Sequence, residues 1–169
     1  MPGLDIIVVG ATGFVGFSVV HWAMYTSRIN HIIVLTRRPM PTHVTNSAKV
    51  TVIIHQDFSD WPLYLLGLLG TAHACIWALG GHAYTFGSLD DAREATMDFP
   101  QIAAQEFAQA ARPYLPHGRP FIFVYVSIRS AEWDDSKRLH YLKNTRRLKV
   151  SQISHISDST LTSTLSASL

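Results

Sequence analysis

Gly10, Gly13 and Gly16 recur every third residue in Gly10-Ala11-Thr12-Gly13-Phe14-Val15-Gly16. The apolar run Ile6-Ile7-Val8-Val9 comes directly before them, and a helical pattern from Phe14 to about Tyr25 follows. Glycine-rich turns between a buried strand and a helix can cradle phosphate. In such a turn Gly10 allows the tight exit from the strand. Gly13, having no Cβ, lets a pyrophosphate come close to the backbone, and Gly16 lets the helix pack against the sheet. Unpaired N–H groups and the positive dipole end of the helix would meet the anion. The whole turn, with Thr12, Phe14 and Val15, is expected to hold a dinucleotide.

The end of the second apolar run bears on which dinucleotide. An NAD site calls for an acid about 20 residues past the turn, to accept from the ribose 2′-hydroxyl. No Asp or Glu occurs between Gly16 and Asp57; Thr36-Arg37-Arg38 stands there instead. Two guanidiniums suit a 2′-phosphate, with its extra charge and bidentate geometry, so NADP(H) is the expected cofactor. Asp57 could accept from an adenine amine while the Phe58 N–H donates to the ring, or Asp57 could be an ordinary turn residue. Leu79-Gly80-Gly81 would let backbone approach the middle of the cofactor, or form a simple turn.

These residues need a scaffold that gathers strand ends. Ile6–Val9, His31–Thr36, Val50–His55, Ala72–Leu79 and Pro120–Ser127 are continuous apolar runs, the pattern of strands buried on both faces. Helical segments alternate with them, which predicts a doubly wound α/β Rossmann domain over residues 1–150, with about five parallel strands and helices on both faces. Asp60 is expected to cap a helix that has Pro62 in its first turn, and Ser88-Leu89-Asp90-Asp91 resembles a capping box. Pro100 should kink or restart the next helix, with Asp98 or Phe99 as the new cap. Ser136 to about Val150 reads as a basic helix. In residues 151–169, 10 of 19 are Ser or Thr; this tail is either disordered or a weak edge strand, since Leu161, Leu165, Ala167 and Leu169 share one parity.

Bulk properties remove several function classes. The 169 residues fit one domain, and 47% hydrophobic content excludes a disordered chain. Charged residues are only 15% and the net charge is +2, which gives no electrostatic case for nucleic-acid binding. The single Cys75 excludes an internal disulfide and a Cys-rich zinc site, and no His spacing suggests a metal. The start, MPGLD, lacks a basic leader segment and Ile6–Val9 is too short for a signal peptide, so a cytoplasmic location is expected. Trp61–Leu89 carries no Asp, Glu, Lys or Arg over 29 residues. Gly70-Thr71-Ala72-His73 breaks that stretch into helix, turn and strand, a buried pair rather than a membrane span.

Taken in order, VVGATGFVG, LTRRP, QDFSD, IWALGG and VYVS resemble the atypical short-chain dehydrogenases with an NAD(P)-binding fold, especially the Tat-interacting-protein-like branch. MDFPQIAAQEFAQAA looks like that family's central helix, and the resemblance spans roughly residues 5–149. It implies NADPH binding and reductase- or epimerase-type chemistry on a small carbonyl or hydroxyl compound. In that family a Ser after strand five orients the carbonyl, and a Tyr-x-x-x-Lys helix supplies a phenol whose pKa the Lys lowers. Ser127 matches the Ser, and Tyr141, 14 residues later, matches the Tyr. Thr145 stands where the Lys belongs. Lys143 lies about 200° around the helix from Tyr141, while Lys137 shares its face from the other side in sequence. A catalytically weak or inactive NADPH-binding sensor or scaffold is therefore the alternative. The family places its substrate lobe mostly after the Tyr helix, so the chain is expected to be shortened at its C-terminus. The edge of strand five would then need the tail, or a second copy in a homodimer, to cover it.

Overall fold

Continuous β-branched runs become the strands of one parallel sheet. The computed structural model describes residues 3–80, 87–128 and 165–167. In chain order the elements are β1 (Leu4–Val9), α1 (Phe14–Tyr25), β2 (Ile29–Thr36), α2 (Thr42–Thr45), β3 (Val50–Ile54), α3 (Leu63–Leu69), β4 (Ala74–Trp77), α4 (Leu89–Arg93), a π-helical turn (Glu94–Asp98), α5 (Phe99–Ala111), β5 (Ile122–Ile128) and β6 (Leu165–Ala167). The sheet order is β3-β2-β1-β4-β5-β6, and every neighbouring pair is parallel. This is the Rossmann-type doubly wound arrangement expected, with the three-residue β6 added beside β5.

Strand alternation sorts the core into two layers. Ile7, Val9, Ile33, Leu35, Cys75, Trp77, Phe123 and Tyr125 project to one face, where α3 and α5 supply Leu65, Leu69, Ala103, Ala104 and Phe107. Ile6, Val8, Ile32 and Val34 project to the other, against Val20 and Ala23 of α1 and Val44 of α2. The first layer is rich in aromatics: Phe58, Trp61, Trp77, Phe107 and Phe123 make ring contacts with centroids 4.7–6.0 Å apart. Close packing of α3 on α5 depends on Gly70, where a Cβ would lie 2.8 Å from the Ala110 carbonyl oxygen.

Several local expectations are revised. The fourth strand is Ala74–Trp77 rather than 72–79, because Ala78 and Leu79 turn out of the sheet towards the carboxyl edge. Pro62, not Asp60, occupies the N-cap of α3; Pro62 fixes the extended approach and Asp60 lies before it. Ser88 does cap α4, its Oγ accepting from the Asp91 N–H at 3.0 Å. The helix does restart at Pro100: the chain widens into the π-turn just before it, and α5 then begins at Phe99 with Asp98 at its N-cap and Pro100 in its first turn. Pro100 has no N–H to give the Thr96 carbonyl, and the buried Tyr125 hydroxyl donates to that carbonyl at 3.4 Å. Among the described residues no helix is long and apolar enough to cross a membrane. The basic helix expected from Ser136, with Lys137, Tyr141, Lys143 and Thr145, lies outside the described residues, as do Gly81, Leu161 and Leu169.

Candidate functional site at the switch point

The chain leaves β1 towards β2 and β3 on one side, and returns through β4, β5 and β6 on the other. A crevice opens at the carboxyl ends of β1 and β4, the place where open α/β sheets bind ligands. Its three glycines prove to have different roles. Gly10 has φ +84°, and a Cβ there would lie 2.5 Å from the backbone of Ala78 and Leu79. A Cβ on Gly16 would run into the Gly10 carbonyl. Both glycines are demanded by the fold. Gly13 is not: its φ of −86° and ψ of 164° suit any residue, and an added Cβ would meet only the Gly10 oxygen, at 3.4 Å. What the missing side chain leaves clear is the space in front of α1. That helix has no side-chain cap and no acid in its first turn, so its first N–H groups and dipole face the crevice unopposed.

The second wall comes from the end of β2. Thr36 is buried, and its Oγ1 accepts from the Arg38 N–H at 3.1 Å and donates to the Arg38 carbonyl at 2.9 Å. Gln56 Nε2 donates to the Arg37 carbonyl at 3.1 Å. The backbone of the arginine pair is thus held from both sides while the two side chains remain exposed. Gly10, Thr12, Gly13, Arg37, Arg38, Phe58, Leu79 and Gly80 line a single cleft of about 230 Å³, together with Leu35, Thr36 and Ala78. No carboxylate is among these lining residues.

Most of the other sequence-derived site residues lie outside the cleft lining. Phe14 is exposed, Val15 half-buried and Gly16 buried, all three outside the cleft lining. Asp57 is also outside it. Its Oδ1 accepts from the Ser59 N–H at 2.9 Å and the Ser59 hydroxyl at 2.5 Å, and these bonds hold its carboxyl below the usual range. Through Oδ1 it closes its own turn. Phe58 is a core residue, 2% exposed and packed edge-on against Trp77, whose margin forms part of the cleft wall. Ser127, near the end of β5, is buried, and its Oγ has no hydrogen-bond partner among the described residues. Tyr141 lies outside those residues. Leu35, Thr36 and Ala78 were not singled out in the sequence as site residues; each ends or follows a strand at the carboxyl edge, the one signal that could have marked them. Burial pushes the Cys75 thiol well up, which makes it an inert packing residue. Among the described residues no group of three or more His, Cys, Asp or Glu could hold a metal ion.

With this geometry in place, comparisons with known proteins bear on the fold. No family model matches the chain. The leucinostatins biosynthesis cluster protein T of Purpureocillium lilacinum is 31% identical over 128 residues, which is 72% of this chain and 42% of that protein. The chain therefore spans less than half the length of this curated relative. A short-chain dehydrogenase/reductase from Burkholderia vietnamiensis superposes with a TM-score of 0.67 at 15% identity, over 99% of this chain and 83% of the other. The UDP-glucuronic acid 4-epimerase of Bacillus cereus, solved in complex with NAD, gives 0.64 at 14% identity over 96% and 55%. At these identities the likeness shows the fold alone, a Rossmann-type α/β domain.

Proposed function

We propose that the chain binds NADP(H) across the switch point and acts as an oxidoreductase of the atypical short-chain dehydrogenase type on a small carbonyl or hydroxyl compound. One observation carries the reading: Gly13 is free to accept a side chain as far as the fold is concerned, yet leaves an uncapped helix N-terminus open beside Arg37 and Arg38. The α1 N–H groups would hold the pyrophosphate, and the arginine pair, fixed through Thr36 and Gln56, would take the 2′-phosphate. NADPH, when bound, supplies a hydride. Ser127 would hold the substrate oxygen with its unpartnered hydroxyl, and Tyr141 would give it the proton. The Tat-interacting-protein-like branch belongs to this reading, and a biosynthetic role accords with the name of the fungal cluster protein. A cytoplasmic location and a homodimer belong to the same reading.

Thr145 favours a second reading, an NADPH-binding sensor or scaffold with little turnover. Without a positioned cation a phenol with a reference pKa of about 10 is a poor proton donor-acceptor at neutral pH. Two measurements separate the readings. Calorimetric titration with NADPH and NADH tests the cofactor, and equal affinities would remove the argument for NADP(H). NADPH oxidation with a panel of aldehydes and ketones tests turnover; tight binding with no oxidation supports the sensor.

A further inference from the structure

A second cleft opens at the opposite edge of the sheet, where α5 ends and β5 begins. It lies about one strand length from the switch point, roughly 20 Å. Its volume is about 650 Å³, large enough for a small organic ligand. Ala108, Leu115 and Phe121 form its apolar part and belong to the aromatic core layer or pack on it. Arg112, His117 and Arg119 form its polar part, and among the described residues no carboxylate lines it.

The loop that carries these groups is rigidly built. Pro116-His117-Gly118-Arg119 is a β-turn closed by the Arg119 N–H donating to the Pro116 carbonyl at 2.9 Å. Gly118 takes φ +78°, the left-handed conformation a type II turn needs at that position. Pro116 and Pro120 restrict the backbone on either side. A basic residue at a helix C-terminus often serves the last carbonyls; here backbone donors already reach two of them, the Arg112 N–H meeting Ala108 O at 3.2 Å and the Tyr114 and Leu115 N–H groups meeting Ala111 O at 2.9 and 3.1 Å. The negative dipole end of α5, about half a charge, is outweighed by two guanidiniums.

We propose that this cleft is a second ligand site, for a small organic anion whose oxyanion headgroup is held by Arg112, Arg119 and His117 and whose apolar body rests on Leu115 and Phe121. Guanidinium forks match phosphate and carboxylate alike, so the shared chemistry is an oxyanion attached to an apolar group.

Nuclear magnetic resonance on the ¹⁵N-labelled full chain tests this, with phenyl phosphate, benzoate and inorganic phosphate as probes. Phenyl phosphate or benzoate should move the amide signals of residues 112, 117–119 and 121 saturably, and more tightly than inorganic phosphate does. Arg112→Gln and Arg119→Gln should each weaken binding about tenfold, as expected for loss of one charge-assisted hydrogen bond. Both arginines are exposed, so the melting temperature should stay in place and serve as the folding control. The proposal falls if no probe moves these signals, if shifts are confined to residues 10–16, if the double variant binds as the parent does, or if inorganic phosphate binds as tightly as phenyl phosphate.

Discussion

Replacing Gly13 by Val separates the needs of the cofactor from those of the fold. The backbone at Gly13, φ −86° and ψ 164°, is extended and suits a β-branched residue. The new Cβ meets one atom, the Gly10 oxygen, at an ordinary 3.4 Å. Gly13 is the N-cap of α1 and makes no side-chain cap bond. The main stability loss is therefore the poorer N-cap propensity of an aliphatic residue, about 1 kcal/mol, or roughly 2–4 °C in melting temperature for a domain of this size. Binding should respond very differently. A branched side chain over the helix start blocks at least two N–H donors from a pyrophosphate. At about 1.5–3 kcal/mol per hydrogen bond to a charged group, affinity for NADPH should fall at least about 100-fold. Gly16→Val is the contrast: its Cβ would run into the Gly10 carbonyl, so stability should drop by about 1–3 kcal/mol or more. Titration calorimetry gives the affinities and thermal unfolding the stabilities. Unchanged NADPH affinity in a folded Gly13→Val protein would refute the reasoning and place the phosphates elsewhere.

Three other outcomes are expected. Arg37→Ala with Arg38→Ala should weaken NADPH binding about tenfold or more while NADH binding stays as it was, measured by the same titration. If the chain turns substrate over, Tyr141→Phe should abolish NADPH oxidation and Thr145→Lys should raise its rate at neutral pH, because a cation beside a phenol favours the phenolate; a rate indifferent to Tyr141→Phe excludes that proton donor. Burial pushes the Tyr125 phenol well above its usual value. Its neutral form thus contributes stability that is fully present below the unfolded pKa of about 10 and is lost as pH rises from there towards the folded pKa. Alkaline unfolding curves should show this slope in the parent and not in Tyr125→Phe, which should also be less stable at pH 7 by about 1 kcal/mol through loss of the bond to the Thr96 carbonyl.

The strand-turn-helix unit was legible because three independent signals coincide there: a run of Ile and Val, a glycine spacing and a helical pattern beginning at Phe14, where α1 begins. The same holds for β2 and its arginines, since a strand end followed by Pro39 leaves the intervening residues at the sheet edge. What local pattern could not supply was the direction taken after a strand. Ala78 and Leu79 are as apolar as the strand before them, and only tertiary context turns them out to line the cleft. The π-turn before Pro100 was equally hidden, because widening a helix there depends on packing against β5 and on Tyr125 reaching Thr96 from across the core. One-turn α2 has too few residues for any periodicity. The bonds that Ser59, two positions on, gives to Asp57 Oδ1 follow from the local sequence Asp57-Phe58-Ser59 and were equally open to a turn reading. The cleft at the far edge joins Ala108 and Arg112 of the α5 end to a turn several residues later, and no spacing rule in the sequence announces it.

Phe58 forms part of the cleft wall while its ring touches Trp61 and Trp77, so the aromatic layer doubles as an optical reporter. Trp61 and Trp77 are buried in that layer, whereas Trp22 is 73% exposed on the outer surface of α1. The fourth tryptophan, Trp133, lies outside the described residues; in a Trp133→Phe variant a collisional quencher in solution can darken Trp22 and leave the two sheltered indoles emitting. Indole emission overlaps the absorption of a reduced nicotinamide, and energy transfer falls steeply with separation. A dinucleotide settling at the switch point would therefore dim the protected emission first, and a ligand at the other sheet edge that lacks such absorption would leave no transfer signal. The molecule thus carries the means to report filling of the switch-point cleft without any attached dye.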